Sequence, residues 1–248
     1  DLHLRPALDW IADEALLETE LSRSLRTIQE NRPAGKQFYV GLAPGTGNAV
    51  FDRELAYPAL KLPDAGFQLL ALYRFWNIIE YWFPYRDVIG EDWGKVLAEF
   101  IPRIALATTA EAYQRELMAF IARVHDTHAN LWSSIRVRPP TGECRLPVNL
   151  RFIENRAVVT GYGAAEAGAA TGLKRGDVIT ELDGVPVARL VETWAPYYAA
   201  SNDPTRLRDI AQFMTRGDCG RPVTLRGHRD GETFELGAQR PPLAGRPL

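Results

Sequence analysis

The sequence predicts an α+β protein, helical through its first half and rich in strands through its second. Three observations predict this. Up to about residue 130, apolar residues recur three and four apart, the spacing of one helix face. From about residue 143, β-branched runs alternate with Gly, Asn and Asp turns. Between the two stands "RVRPPTGE" (136–143), whose prolines and glycine read as a linker.

Residues 9–30 are the first expected helix. Leu17, Leu21, Leu25 and Ile28 share a face, and Pro33 and Gly35 end it. A short strand follows over Gln37–Leu42. Then "APGTGN" (43–48) reads as an irregular turn, because it lacks the Lys-Ser/Thr and the following helix of a phosphate loop. Residues 64–83 give the clearest helix, capped by Asp64 and stopped by Pro84. Its stripe of Leu72, Phe75, Ile79 and Trp82, flanked by Leu69, Trp76 and Phe83, places it at the centre of a bundle. A third helix starts near Asp92 with Val96, Leu97, Phe100, Ile101 and Ile104 inward, and Pro102 is expected to kink or end it. Thr108 and Glu111 read as a capping box for a fourth helix, which runs to about His125 and buries Tyr113, Leu117, Phe120, Ile121 and Val124.

Beyond the linker, residues 146–162 read as a hairpin turning at Glu154-Asn155-Arg156. A short helix of small residues (164–173) is closed by Gly172. The Gly176-Asp177 turn leads to a strand over Val178–Leu182 and a second turn at Asp183-Gly184. A broken helical stretch covers 188–216, restarted by Asp203 as cap and Pro204 as first helical residue, and ended by Gly217. Two last strands alternate across Asp230-Gly231. The Pro-rich tail 241–248 lacks a core pattern.

Composition narrows the function. A net charge of −2, from 29 basic and 31 acidic residues, argues against a nucleic-acid binder that works through a basic surface. Apolar runs are broken by charge before the ~18 residues that a membrane-spanning helix needs. Two cysteines make neither a disulfide scaffold nor a Cys-rich zinc domain; free thiols are the default for Cys144 and Cys219, with a disulfide left open. The serines are Ser22, Ser24, Ser133, Ser134 and Ser201, and none has the Gly-flanked turn of an activated nucleophile. Lys174 reads as a solvated charge. His125, Asp126 and His128 invite a metal reading, but a third ligand and the glutamate of a zinc-protease helix are missing. No metal or cofactor is expected.

The string Ala164–Val187, "AAEAGAATGLKRGDVITELDGVPV", resembles the bacterial PDZ domain, with the order of elements over 143–240 in keeping. Upstream, "FWNIIEYWFPYRDVIGEDWGKVLAEFIPRI" (75–104) and "VHDTHANLW" (124–132) resemble the region before the PDZ domain in C-terminal-processing, tricorn-like serine peptidases. The resemblance implies an N-terminal helical bundle followed by a PDZ-like small β-barrel or sandwich with flanking helices. It divides the chain into an N-terminal extension (1–63), a helical bundle domain (64–135), a PDZ domain (143–240) and a linker (241–248) to a catalytic core outside this sequence. The start at Asp1 likewise reads as a processed or cut form.

That family implies a hydrolase whose serine lies in the missing core of the same polypeptide, so this portion alone is expected to be inactive. His128, after Thr127, stands where the tricorn-like branch carries its base, and its orienting partner is expected from the core. From the residues alone, the better reading of His128 is a structural histidine at a helix C-terminus, where the dipole favours positive charge; the resemblance turns the reading towards the base. A peptide or protein substrate is expected to add to a sheet edge at Leu146, Pro147, Val148, Asn149 and Leu150, where many PDZ domains read Gly-Leu-Gly-Phe. Pro147 has no N–H, which counts against carboxylate capture but not against strand addition. Trp194, Tyr197 and Tyr198 are expected to pack rather than to line a pocket. The alternative is a stand-alone peptide-binding adaptor. Family members are commonly exported, which implies a periplasmic or secreted location.

Overall fold

The structure, a computed structural model, describes residues 8–32, 35, 38–60 and 62–242. The chain divides into two compact units, one of Asp1–Pro63 with Tyr73–Arg86, the other of Asp64–Leu72 with Asp87–Leu248.

In the first unit, a short 3-10 turn (Asp9–Ala12) precedes helix α1 (Glu14–Glu30). The helix begins five residues later than expected because Asp13 caps it, its carboxylate accepting from the Ala15 and Leu16 amides. Its expected apolar face is only partly covered among the described residues: Leu17 and Leu25 are half-buried, Leu21 and Ile28 are exposed, and the fully buried residues here are Ile11 and Ser22. The Ser22 hydroxyl donates to the Ile11 carbonyl at 2.6 Å, tying the helix to the 3-10 turn before it. Strands β1 (Gly41–Leu42) and β2 (Ala49–Val50) pair antiparallel, which makes "APGTGN" the connection of a hairpin. Pro33 and Gln37 lie outside the described residues. Helix α2 (Ala65–Trp82), whose residues from Tyr73 on belong to this unit and whose start belongs to the second, opens under the expected Asp64 cap, which accepts from the Phe67 amide.

The second unit holds helices α3 (Trp93–Ala105) and α4 (Ala110–Ala122). Asp92 caps α3 as expected. Pro102 does not end it; the helix runs on to Ala105, and the missing proline N–H costs it a single hydrogen bond, to the carbonyl four residues back. The cap of α4 is Thr109, accepting from the Ala112 amide, rather than Thr108. Glu111 then falls in the first turn and pairs with Arg115 instead of closing a capping box. Trp93 stacks on Phe120 at 5.4 Å and Phe100 tilts against the same ring at 5.2 Å, so an aromatic trio fastens α3 to α4.

The strand-rich part follows as β3 (Cys144–Arg145), β4 (Val148–Ile153), β5 (Arg156–Tyr162), helix α5 (Ala165–Ala169), β6 (Val178–Leu182), β7 (Val185–Pro186), helices α6 (Val187–Trp194) and α7 (Asp203–Phe213), β8 (Arg216–Gly217), β9 (Val223–Arg229) and β10 (Glu232–Ala238). The main sheet is antiparallel in the order β10-β9-β6-β5-β4, with β7 beside β6. It is open, with β4 and β10 as edges, rather than a closed barrel. The expected turns hold because each places residues at positive φ: Glu154 and Asn155, Asp183 and Gly184, Asp230 and Gly231. Asn202, not Asp203, caps α7, and Gly217 lies in a strand rather than at a helix end.

The presumed linker is packed. Arg138 is buried with its guanidinium over the Tyr198 and Phe213 rings, and the Tyr198 hydroxyl donates to the Pro139 carbonyl at 2.9 Å. Burial pushes the Tyr198 phenol up to about 12. The default of two free thiols is also overturned: Cys144 and Cys219 are joined in a disulfide. The reason is the pairing of β3 with β8, which sets Cys144 opposite Gly217, two residues before Cys219. Residues 241 and 242 are paired as well: the Arg145 amide donates to the Pro241 carbonyl, and Cys144 forms an antiparallel backbone bridge with Pro242. Residues 243–248 lie outside the described part. No described helix is long and apolar enough to cross a membrane.

Candidate functional site

The C-terminus of α4 shapes the turn that carries His128. Val124 is buried, and His125 takes a left-handed backbone (φ 55°) that stops the helix. The Ala129 amide then donates to the Asp126 carbonyl at 3.0 Å, closing a turn with His128 inside it. The His128 side chain is 96% exposed, so burial does nothing to orient it. Its contacts are with Asp126: the His128 amide donates to Asp126 Oδ1 at 2.9 Å, and Nδ1 lies 3.0 Å from the same oxygen. The expectation that an orienting group comes only from elsewhere therefore overlooked a carboxylate two residues away.

His125 is held differently. Its Nε2 lies 2.9 Å from Glu91 Oε1, and Glu91 is also gripped by Arg123. The Arg123 hydrogen bond holds the Glu91 carboxyl below its ordinary range against the opposing effect of burial, and His125 adds to the lowering. The two histidines thus serve separate carboxylates. No group of three or more metal-binding side chains occurs among the described residues.

The turn is tied to the strand-rich part. The Thr127 amide donates to Ser201 Oγ at 3.2 Å, the two hydroxyls lie 3.1 Å apart, and the Ser201 amide donates to Thr127 Oγ1 at 3.1 Å. Asn130 donates to the Thr127 carbonyl, and Arg138 donates to Asn130 in turn. Sequence reasoning missed Ser201, Asn130 and Arg138 in this role. Asp126 carried a local signal, the Asp-x-His spacing of a side-chain-to-backbone turn; Ser201, 74 residues from Thr127, carried none.

The five residues expected to meet a peptide form the start of β4 and its approach. Leu146, Val148 and Leu150 are buried in the sheet's core, alongside Ile179, Ile210 and Leu225. Asn149 is exposed, and the Pro147 carbonyl already accepts from the Gly163 amide. What β4 offers outward is backbone: it pairs only with β5, and α7 packs near it. His128 and these residues belong to different parts of the unit, and no described contact joins them. Trp194 and Tyr198 are core residues, as expected.

Ser22 is buried on α1, Ser24 lies in the same helix, and Ser133 and Ser134 lie in a 3-10 stretch, Trp132–Val137. Ser201 bonds Thr127, not the His128 ring.

No protein-family model and no curated protein match the chain. Among solved structures, that of mature CPAF, a chlamydial serine protease, complexed with lactacystin is similar at a TM-score of 0.50 and 16% identity, covering 73% of this chain and 36% of that one. A structure of mature CPAF alone gives 0.51 and 16%, covering 71% and 34%. This chain thus spans about a third of the length of the proteins it resembles, and the likeness is one of fold. An HtrA-type protease with a decapeptide has a TM-score of 0.26, which carries no argument.

Proposed function

We propose that this chain is the N-terminal, non-catalytic portion of a serine peptidase of the C-terminal-processing, tricorn-like kind. The observation that carries the reading is His128: an imidazole presented to solvent at a fixed turn, with no serine of this chain placed to use it. The fold shared with a serine protease over 73% of the chain supports it.

In this reading His128 Nε2 accepts the proton of a serine hydroxyl supplied from outside these residues as that oxygen attacks a peptide carbonyl. It then returns the proton to the leaving amine. A positioned base contributes roughly 10²–10⁴ in rate. The strand-rich part acts as a PDZ module: a peptide adds to the free edge of β4, engaging the backbone around Leu146, Pro147, Val148, Asn149 and Leu150. With three of those side chains turned into the core, selectivity falls to neighbouring exposed groups such as Asn149 and Arg151. The disulfide supports a periplasmic or secreted location, because such bonds persist in oxidising compartments.

The test compares peptide hydrolysis by this chain and by a longer form that carries a Gly-flanked serine. This chain alone is expected to be inactive and the longer form active, with His128→Ala lowering kcat about 100-fold or more. Turnover by this chain alone, or full activity of the longer His128→Ala form, sinks the proposal. A reading frame that ends without such a serine, together with peptide binding by this chain, would instead favour the adaptor.

A further inference from the structure

We infer that Asp126 is a positioning residue for His128: its carboxylate sets the imidazole tautomer before any other part of a peptidase is present. The significance for catalysis rests on the reading of His128 as a base, but the tautomer does not.

The inference starts from what each atom can do. An ionised carboxylate only accepts hydrogen bonds. Asp126 Oδ1 lies 3.0 Å from His128 Nδ1, so a neutral ring that keeps this contact must carry its proton on Nδ1. The lone pair then resides on Nε2, which has no protein partner among the described residues. That is the nitrogen a general base must keep unprotonated. Free imidazole leans the other way, towards the proton on Nε2, so the contact reverses an intrinsic preference.

The geometry fixes the carboxylate as well as the ring. The same Oδ1 accepts from the His128 amide at 2.9 Å, and the Asp126 carbonyl accepts from the Ala129 amide at 3.0 Å. Thr127, between the two residues, is held by Ser201 through its amide and hydroxyl. The Asp126 carboxylate cannot swing without giving up its bond from the His128 amide, and the exposed His128 ring is held to it by the Nδ1 contact.

His125 supplies an internal contrast. Three residues away, it engages its carboxylate through Nε2 instead, and its ring is 38% exposed against 96% for His128. Contact with Glu91 places the proton on Nε2, the nitrogen that His128 keeps bare. One turn therefore holds two histidines in opposite tautomers, and only His128 offers an open Nε2.

The test is long-range ¹H–¹⁵N correlation of the histidine rings in this chain, ¹⁵N-labelled, at a pH where they are neutral. His128 is expected in the Nδ1–H form and His125 in the Nε2–H form. In Asp126→Ala the Nδ1–H to Nε2–H ratio of His128 should fall about fivefold, the effect of one solvent-facing charge-assisted hydrogen bond. Asp126→Asn keeps an acceptor for the His128 amide, and so the turn, and should give an intermediate ratio. A wild-type His128 ring in the Nε2–H form overturns the inference. So does a ratio unchanged in Asp126→Ala, or one in Asp126→Asn equal to wild type. In a serine-bearing longer form, Asp126→Ala is expected to lower kcat about tenfold with KM unchanged. Full activity of His128→Ala in that form would defeat the base assignment while leaving the tautomer result standing, so the two failures are told apart.

Discussion

The helical segment spanning α3 and α4 and the strand-rich segment from β3 to β10 are both well packed, yet they are held by different means. Trp93, Val96, Phe100, Ile104 and Phe120 form an apolar interior, and the ion pairs of α3 and α4, such as Arg103 with Glu99 and Arg115 with Glu111, lie at the surface. Exposed pairs of that kind contribute little. The strand-rich segment instead buries Asp177, Thr215, Arg216 and Arg240 among its apolar residues and adds a disulfide. Arg216 spans to the Gly142 carbonyl, and Arg240 to the Thr215 carbonyl. The lesson is that both segments depend on apolar volume, and that the strand-rich one adds a buried carboxylate and a disulfide, and with them protonation and redox state.

The largest expected effect tests the apolar side. Phe120→Ala removes the ring shared by Trp93 and Phe100 and should cost about 4 kcal/mol in urea unfolding. A loss under about 1 kcal/mol would mean that the aromatic trio is not what fastens α3 to α4. Next, replacing both cysteines by serine frees a link between residues 75 apart and should cost about 3 kcal/mol, read from the urea midpoint. An equal midpoint would remove redox state from the comparison.

Asp177 gives the third test. Burial alone would raise its carboxyl, but the Arg229 guanidinium and the Lys174 amide outweigh burial and hold it below the ordinary range. A carboxyl depressed in the folded state stabilises fully above its unfolded value. That stabilisation is lost as pH falls through the folded value, below about 4. Asp177→Asn should therefore cost about 2 kcal/mol at pH 7 and flatten the acid limb of the stability curve. An unchanged acid limb in a thermal series would break the assignment. The smallest effect is local: Thr109→Ala removes the α4 cap and should cost about 1 kcal/mol. The same change at Thr108 should cost almost nothing, and equal losses would restore the capping reading made from the sequence.

Those paired threonines show how legibility varied. The sequence placed the start of α4 within a residue, because a hydroxyl before an apolar period is a local signal, but two adjacent threonines offer the same chemistry. The hairpin turns at Glu154-Asn155 and Asp230-Gly231 were legible for the same local reason. The α1 face was legible only in part, with Leu17 and Leu25 half-buried and Leu21 and Ile28 exposed, because a stripe of leucines says that something should cover it and not how much does. The candidate at His128 was read from the string around it, and Asp126 beside it was within reach of the same local reading. Ser201, Asn130 and Arg138 were not, because polar residues in loops carry no period that reveals their partners.

The sequence by itself determined where the backbone turns, where helices such as α2 and α3 begin under Asp64 and Asp92, and which segments alternate as strands. These follow from energies that act within four or five residues. Only the tertiary structure decided that Cys144 meets Cys219, that the Pro139 segment is packed under Tyr198, and that Ser201 clasps the turn of His128. Each of those depends on two stretches of chain arriving at one place, and the net of many packing contacts, not any local preference, selects that arrival.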